Sequence, residues 1–356
     1  MRLAIDASRT TVARVTGTER YALEIIRAVL RHNTAHQITL YFRDQPSADL
    51  FPGADCRIIP YPRAWTHLRL AAELFKDRPD ALWTPAHTLP FVFPGKGIMT
   101  VHDLGYKYFP EAHTPNQRRY LDLSTRWSAS RARVIFADSR ATADDLQRFY
   151  RTSPGKIRVV YPGVDAPPIR DVTAARKKYH LPERYFLFLG TLQPRKNIQR
   201  IVQAFQQWRK TRPKDDPTGL VLAGNPGWLF DAAWIVGAEH IYMPGFVDDA
   251  DKGALYAGAL GLVFPTLYEG FGFPILEAML CGTPVIASTT SSLPELAGDA
   301  ALLVDPLDVA AIAAALERLS TDDALRARLI AAGRPQAQQF TWDRAAEAVL
   351  NALEDV

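Results

Sequence analysis

The sequence predicts an α/β protein built from two doubly wound domains that face a central cleft. The chain has 356 residues, more than one ordinary domain needs. Short apolar or β-branched runs alternate along it with longer amphipathic stretches, the pattern of βαβ units in a parallel sheet. Near the middle, residues 163–168 contain paired prolines, which stop both helix and strand growth. We therefore predict a domain boundary in that segment.

The first domain is predicted to span residues 1–165. Its helical patterns are typified by residues 19–31, 116–130 and 142–150. Its seven candidate strands lie at residues 3–7, 38–42, 57–60, 81–84, 98–102, 134–137 and 158–161.

The second domain is predicted to span residues 166–339 and repeats the same alternation. Its amphipathic segments include residues 197–209, 250–259 and 274–281. Its six candidate strands lie at residues 185–189, 219–223, 240–243, 261–265, 284–287 and 301–304. Because doubly wound sheets bind ligands beyond the carboxyl ends of their strands, functional residues are expected just after these runs.

Composition narrows the class of protein. Two cysteines, Cys56 and Cys281, are too few for a disulfide framework or a zinc cluster, which favours a cytoplasmic protein. The sequence has neither a signal-peptide pattern at its start nor an apolar run long enough to span a membrane.

The charge of the chain is uneven. Residues 1–165 contain 24 Lys and Arg against 16 Asp and Glu, a net charge of +8, whereas the remainder has a net charge of −4. The basic half could contact an anionic membrane peripherally or bind an anionic substrate, although solvated surface arginines are the preferred explanation. Without a nucleic-acid motif, we expect no nucleic-acid partner.

The most informative segment, residues 269–277, follows a predicted strand and opens a helix at Pro274. Its glycines allow close approach of a ligand to the backbone, and free amides at a helix start bind anions. We expect Glu277 in the first helical turn, where it could accept hydrogen bonds from a vicinal diol. Glu269 is expected in the loop facing the cleft. Each acid alone has an ordinary structural explanation, but their combination with the glycines favours function.

A second segment, residues 190–197, places Arg195 and Lys196 after a strand and before a helix. Cations at a helix N-terminus oppose the helix dipole, so they cost stability unless an anion binds there. A diphosphate is such an anion, since arginine can bind two phosphate oxygens while lysine supplies a point charge.

Asp249 and Asp251 form a D-x-D pattern, which is a possible metal site. Acids at the start of a helix are stabilising without any ligand, and this explanation is preferred. We therefore predict no metal, and no other cofactor.

Glu269 and Glu277, separated by seven residues, resemble the paired glutamates of family 4 of the retaining glycosyltransferases (GT4). Residues 278–287 resemble the continuation of the same family motif. The resemblance covers nearly the whole chain. It implies the GT-B fold, two Rossmann-like domains, with a metal-independent hexosyl transfer from a nucleoside diphosphate sugar that is a substrate.

The resemblance also implies roles for individual residues. Arg195 and Lys196 would bind the donor pyrophosphate, Glu277 the ribose and Glu269 the donor sugar. His102, after a strand of the first domain, would hydrogen-bond the sugar as well. Further donor contacts are implied at Gly17, Phe246, Val247, Phe271, Gly272 and Phe273.

The last helix, from about residue 340 to 356, resembles the family's terminal segment, which packs back on the first domain. His87, His113 and Glu111 are further candidates for contact with the acceptor, a glycan or a lipid-linked glycan.

Residues 6–8 and 16–19 resemble the corresponding segments of polysaccharide-assembly mannosyltransferases. We therefore prefer a GDP-sugar as the donor and mannose as the sugar transferred, with UDP-glucose as the next candidate donor. Three alternatives share the architecture: a nucleotide-sugar 2-epimerase, a pyridoxal-phosphate phosphorylase, and an inactive sugar- or nucleotide-binding subunit.

Overall fold

The computed structural model describes residues 1–12 and 17–356 and divides them into two compact units. The first unit contains Met1–Gly163 together with Phe340–Val356, and the second contains Val164–Gln339. The chain leaves the first unit in the proline-containing segment 163–168, where neither helix nor strand forms.

The first unit is built on a seven-stranded sheet in which every strand pairs parallel to its neighbours, in the order β3-β2-β1-β4-β5-β6-β7. The strands are β1 (Arg2–Asp6), β2 (Gln37–Phe42), β3 (Asp55–Ile58), β4 (Ala81–Thr84), β5 (Lys96–Val101), β6 (Ala132–Ala137) and β7 (Ile157–Val159). The helices are α1 (Gly17–His32), a π-helical turn (Thr66–Leu70) continuing into α2 (Ala71–Asp77), α3 (Gly105–Tyr108), α4 (Pro115–Arg131) and α5 (Arg140–Tyr150).

The second unit is built on a six-stranded parallel sheet in the order β10-β9-β8-β11-β12-β13. The strands are β8 (Tyr185–Leu189), β9 (Gly219–Ala223), β10 (Ile241–Gly245), β11 (Gly261–Phe264), β12 (Val285–Ser288) and β13 (Leu302–Val304). The helices are α6 (Val172–Lys178), α7 (Ile198–Arg209), α8 (Asp249–Ala257), α9 (Phe273–Leu280), α10 (Leu293–Ala297), α11 (Val309–Thr321) and α12 (Asp323–Ala337).

Both sheets are doubly wound, and this confirms the predicted α/β class. Strand order reverses between β1 and β4 in the first unit and between β8 and β11 in the second. At such a switch point the loops after the two central strands diverge to opposite faces of the sheet and leave a crevice. The carboxyl ends of β8 and β11 are therefore the places where ligand-binding residues of the second unit are expected.

The central strands are buried throughout, as parallel strands covered on both faces must be. Every residue of β8, β9, β11 and β12 is buried. Such strands are continuous apolar runs, which is why the sequence predicted their positions closely. All thirteen predicted strands have a counterpart in the structure.

The chain ends in α13 (Trp342–Leu353), which belongs to the first unit and packs against α1. The Trp342 ring lies 6.0 Å from the ring of Tyr21, centroid to centroid. Gly163 allows a close approach here, since an added Cβ would lie 2.2 Å from the Trp342 backbone nitrogen. Within the described ranges, none of the helices has the length and apolar character needed to cross a bilayer.

Candidate active site

Two loops of the second unit meet at its switch point, one after β8 and the other after β11. The Leu267 amide donates to the Arg195 carbonyl oxygen at 2.9 Å. Arg195 Nη1 donates to the Tyr268 carbonyl oxygen at 3.3 Å. These two bonds tie the loops to each other, so residues on one loop are held in a defined position relative to the other.

This arrangement brings together three of the predicted site residues. Lys196 Nζ lies 2.7 Å from Glu269 Oε1, and Arg195 Nη1 lies 3.6 Å from Glu269 Oε2. The Lys196 and Glu269 side chains are only 12% and 9% exposed. The group therefore contains two cations and one anion in a largely dehydrated position, where charge interactions are stronger than in water.

The backbone of Glu269 is held on both sides. Its amide donates to Ser291 Oγ at 2.8 Å, and its carbonyl accepts from Ser292 Oγ at 3.1 Å. Ser292 also donates to the carbonyl of Phe271. These serines follow β12, so a third strand end fixes the loop; the sequence analysis had not selected them.

Asn197 ends the predicted phosphate-binding segment 190–197, and no role was predicted for it. It adopts the left-handed conformation (φ 64°) between a short 3₁₀ turn, Pro194–Lys196, and the start of α7. Its buried Nδ2 donates to the carbonyls of Pro265 at 2.9 Å and Pro306 at 2.6 Å. Asparagine tolerates this conformation better than most residues, and its amide joins the loops that follow β8, β11 and β13.

The loop after β11 ends at the start of α9. Gly272 caps the helix with φ +140°, a conformation that favours glycine, and an added Cβ would lie 2.6 Å from Leu293 Cδ2. The Phe271 side chain is buried and lies edge-on to Phe273 at 5.0 Å. The predicted donor contacts of residues 271–273 are thus available mainly through backbone amides, which bind anions at a helix start.

The predicted place of Glu277, in the first turn of α9, was wrong by one residue. The helix begins at Phe273, and its first turn contains no acidic residue, so Glu277 lies just beyond that turn. Its side chain is 5% exposed and accepts a hydrogen bond from Tyr256 Oη at 3.0 Å. Because Glu277 lies past the exposed amides, stabilisation of the helix dipole does not by itself explain its presence.

Phe246 and Val247 follow β10. The Phe246 ring is 65% exposed, whereas Val247 is buried. The carbonyl of Gly245 accepts from the Gly224 amide at 2.8 Å, which joins this loop to the one after β9. An exposed aromatic ring on an anchored loop can stack against a planar ring such as a base.

The D-x-D acids lie in the first turn of α8, as the preferred explanation expected. Lys178 Nζ lies 2.6 Å from Asp251 Oδ2 and 2.7 Å from Asp248 Oδ2. Asp249 forms an ion pair with Lys252. Among the residues that the structure describes, no group of three or more His, Cys, Asp or Glu is placed to hold a metal ion.

His102 lies at the carboxyl end of β5 in the first unit. Its Nδ1 lies 2.7 Å from Asp138 Oδ2, and its Nε2 lies 3.3 Å from the Pro85 carbonyl oxygen. Both partners are acceptors, so the geometry fits the imidazolium form, which donates at both nitrogens. Burial lowers the pKa of His102, but the charge and hydrogen bond of Asp138, with the charge of Asp103 and the Pro85 carbonyl, together outweigh burial and leave the pKa above its usual value.

His87 follows β4 and faces the same histidine. Its Nε2 accepts a hydrogen bond from the His102 backbone amide at 3.1 Å. Burial and the charge of His102 lower the pKa of His87 to about 4, so this ring is neutral at pH 7. Both histidines were predicted as site residues from the sequence, but Asp138, which directly follows β6, was not.

The remaining candidates lie elsewhere in the first unit. Gly17 is the first residue of α1, and Thr16, quoted with it, lies outside the described residues. Glu111 lies in a 3₁₀ turn, Pro110–Ala112, and His113 ends that turn.

Two family models match this chain, one in each half. The model described as Glycosyltransferase Family 4 matches residues 15–166, and Glycosyl transferases group 1 matches residues 171–336. The O-antigen chain mannosyltransferase B of Escherichia coli is 31% identical over 369 residues, covering 96% of each chain.

Solved structures share the fold over the full length. Sucrose-phosphate synthase from Thermosynechococcus elongatus superposes with a TM-score of 0.77 at 22% identity, covering 99% of this chain and 98% of that one. Anabaena HepE in complex with UDP-glucose gives 0.75 at 17% identity, covering 100% and 99%.

Proposed function

We propose, because this chain belongs to family 4 of the glycosyltransferases, that it transfers a mannosyl unit from a nucleoside diphosphate sugar to a hydroxyl acceptor with retention. Glycosyl transfer and the GT-B fold follow from the family and its structural neighbours. Mannose is supported by the name of the relative from Escherichia coli, and we favour GDP-mannose over UDP-glucose as the donor.

The observation that carries the proposal is the pair of cations at the switch point of the second unit. Arg195 and Lys196 are held within 3.6 Å of the Glu269 carboxylate by loops that are tied together. The glycine-capped start of α9 supplies amides on the loop after β11. Two cations and helix amides form an arrangement suited to a diphosphate.

The roles proposed for Arg195 and Lys196 in the transfer step depend on where negative charge develops. As the bond between the sugar and the diphosphate breaks, negative charge grows on the leaving phosphate. Arg195 and Lys196 stabilise that charge, so their effect is larger in the transition state than in the ground state. The departing phosphate oxygen can then accept the proton of the acceptor hydroxyl on the same face of the sugar, which gives retention.

A thermal-shift screen tests the choice of donor. GDP, UDP and ADP, each with and without a hexose, are added to the purified protein. A ligand that binds the folded state raises the midpoint of unfolding, by an amount that grows with the logarithm of its concentration divided by its Kd. GDP and GDP-mannose are expected to give the largest shifts, and shifts by UDP and UDP-glucose alone would contradict the choice of guanine.

Turnover is expected to persist in excess EDTA, since the cations and helix amides supply the charge stabilisation that a metal would otherwise provide. Asp248 and Asp251 are already engaged by Lys178, and Asp249 by Lys252. The measurement is the rate of nucleoside diphosphate release with and without chelator. Loss of turnover in EDTA that Mn²⁺ or Mg²⁺ restores would contradict this prediction.

For the acceptor side we propose peripheral contact with an anionic membrane through an exposed aromatic face of the first unit. His67 stacks on Phe91 at 4.0 Å, and Phe91 lies edge-on to Trp127 at 6.3 Å. Leu123 and Tyr120, also on α4, are exposed like Phe91 and Trp127. Aromatic rings of this kind favour the interface between lipid headgroups and hydrocarbon.

The charges around this face fit an anionic surface. The helix α4 exposes four arginines: Arg118, Arg119, Arg126 and Arg131. Its one acid, Asp122, forms an ion pair with Lys107. Basic side chains are attracted to the negative surface of anionic membranes, and the exposed aromatic side chains beside them can enter the headgroup region.

Vesicle flotation tests this contact. The protein is expected to float with phosphatidylglycerol vesicles but not with phosphatidylcholine vesicles, and Leu123→Ser with Trp127→Ser should abolish flotation. The control Leu307→Ser removes an exposed leucine from the second unit and should leave flotation unchanged. Flotation equal in all variants would contradict the assignment to this face.

A further inference from the structure

The Glu269 carboxylate is the counter-ion of the two cations assigned to the diphosphate. Its oxygens lie 2.7 Å from Lys196 Nζ and 3.6 Å from Arg195 Nη1. A diphosphate that binds these cations must therefore compete with a carboxylate that already interacts with them. The free energy of that competition depends on what the displaced carboxylate contacts next.

The carboxylate has little room to withdraw. Ser291 accepts from the Glu269 amide and Ser292 donates to its carbonyl, so the backbone stays in place. The Leu267 amide, two residues earlier, is bonded to the Arg195 carbonyl. With its backbone held, the Glu269 carboxylate can withdraw from the cations only by rotation of its side chain, which keeps it close to the site assigned to the diphosphate.

Displacing the Glu269 carboxylate from the two cations is costly unless it finds a new partner. A carboxylate in a largely dehydrated position needs hydrogen-bond donors, and a neighbouring anion raises the cost further. A hexose attached to the diphosphate presents several hydroxyl groups that can donate to the carboxylate. A free diphosphate presents none in place of the sugar.

We infer that Glu269 is a specificity-determining residue that favours the intact nucleotide sugar over the nucleoside diphosphate product. While the sugar is attached, its hydroxyls compensate the displaced carboxylate. Once the sugar has been transferred, the carboxylate returns to Lys196 and Arg195 and weakens their hold on the diphosphate. The inference rests on the proposed function, because it assigns the two cations to a diphosphate.

Calorimetry with inorganic pyrophosphate tests the inference without depending on the base. Glu269→Gln removes the competing charge but keeps an oxygen that can accept from Lys196. We expect this variant to bind pyrophosphate, and GDP likewise, about tenfold more tightly than the native protein. Its preference for GDP-mannose over GDP should fall by a similar factor or more. Affinity for pyrophosphate that is unchanged or weaker would overturn the inference.

Two matched variants control for side effects. Glu183→Gln removes the same charge from a side chain that is 88% exposed in the same unit, and should leave pyrophosphate affinity unchanged. Glu269→Asp keeps the charge and should not reproduce the tightening. If Glu269→Gln does not fold, Glu269→Ala is measured in its place, with the same increase in affinity expected.

Failure of this inference is distinguishable from failure of the proposed function. If replacing Arg195 and Lys196 weakens pyrophosphate binding while Glu269→Gln leaves it unchanged, the diphosphate site stands and the inference alone is wrong. If replacing the cations has no effect either, the site itself is misassigned and both are overturned.

Discussion

Replacing Arg195 and Lys196 together by alanine is expected to weaken nucleoside diphosphate binding by about 3–6 kcal/mol, since each hydrogen bond to a charged group contributes about 1.5–3 kcal/mol. Isothermal titration with GDP measures this loss directly. Turnover should fall at least as far, because the same cations stabilise the leaving diphosphate in the transition state.

The matched control for this double variant is Arg318→Ala with Lys210→Ala. It removes the same charge from exposed side chains of the same unit. The double variant leaves the Glu269 carboxylate without these cations, so its folding is checked by circular dichroism. A triple variant that adds Glu269→Gln removes the unpaired charge. Unchanged affinity for GDP in the folded double variant would contradict the assignment of these cations.

Glu277→Gln is expected to weaken GDP binding by about 1.5–3 kcal/mol, roughly ten- to a hundredfold in Kd, because the ribose diol loses a charged acceptor. The substitution keeps an oxygen that can accept the hydrogen bond from Tyr256, which limits damage to the fold. Calorimetry with GDP checks the size of the effect.

Inorganic pyrophosphate provides the internal control, because it has no ribose. Its affinity should be the same for Glu277→Gln and the native protein. Tyr256→Phe removes the hydroxyl that contacts Glu277 but keeps the carboxylate, so it should have a smaller effect on GDP. Equal weakening of GDP and pyrophosphate by Glu277→Gln would show that Glu277 acts on the diphosphate or on the fold, and not on the ribose.

The strands were predictable because a buried parallel strand is a short, continuous apolar run between turn signals. The 185–189 and 219–223 predictions agree with β8 and β9 at both ends. Among the helices named in advance, α1, α5 and α7 have clear amphipathic periodicity. The short helices α3 and α10 have only four and five residues, too few for a period to be recognised.

The alanine-rich helices α11 and α12 were not among the segments named from the sequence. Both contain many alanines, and in α12 the contrast between the apolar and polar faces is weak. In addition, α12 contains Pro335 three residues before its C-cap, a residue that normally signals a boundary. Tertiary packing decides the structure of such segments more than local pattern does.

Within the candidate site, the residue types and their places after strands could be read from the sequence, but their partners could not. Arg195, Lys196 and Glu269 were each selected, yet their ion pairs join residues 73 apart or more. Asp138 lies 36 residues from His102 and was missed because one aspartate after a strand has no distinguishing pattern. Glu277 was predicted one residue too early in the helix because Pro274, and not Phe273, was taken as the first helical residue.

The most direct test of the account is the anomeric configuration of the product. GDP-mannose, which is α-linked, is incubated with the enzyme and a short mannoside acceptor in EDTA, and the new glycoside is examined by NMR. The account predicts an α-linked product with release of one GDP per bond formed, and loss of both signals in the Arg195 and Lys196 double variant. A β-linked product, or α-transfer that persists undiminished in that variant, would contradict it.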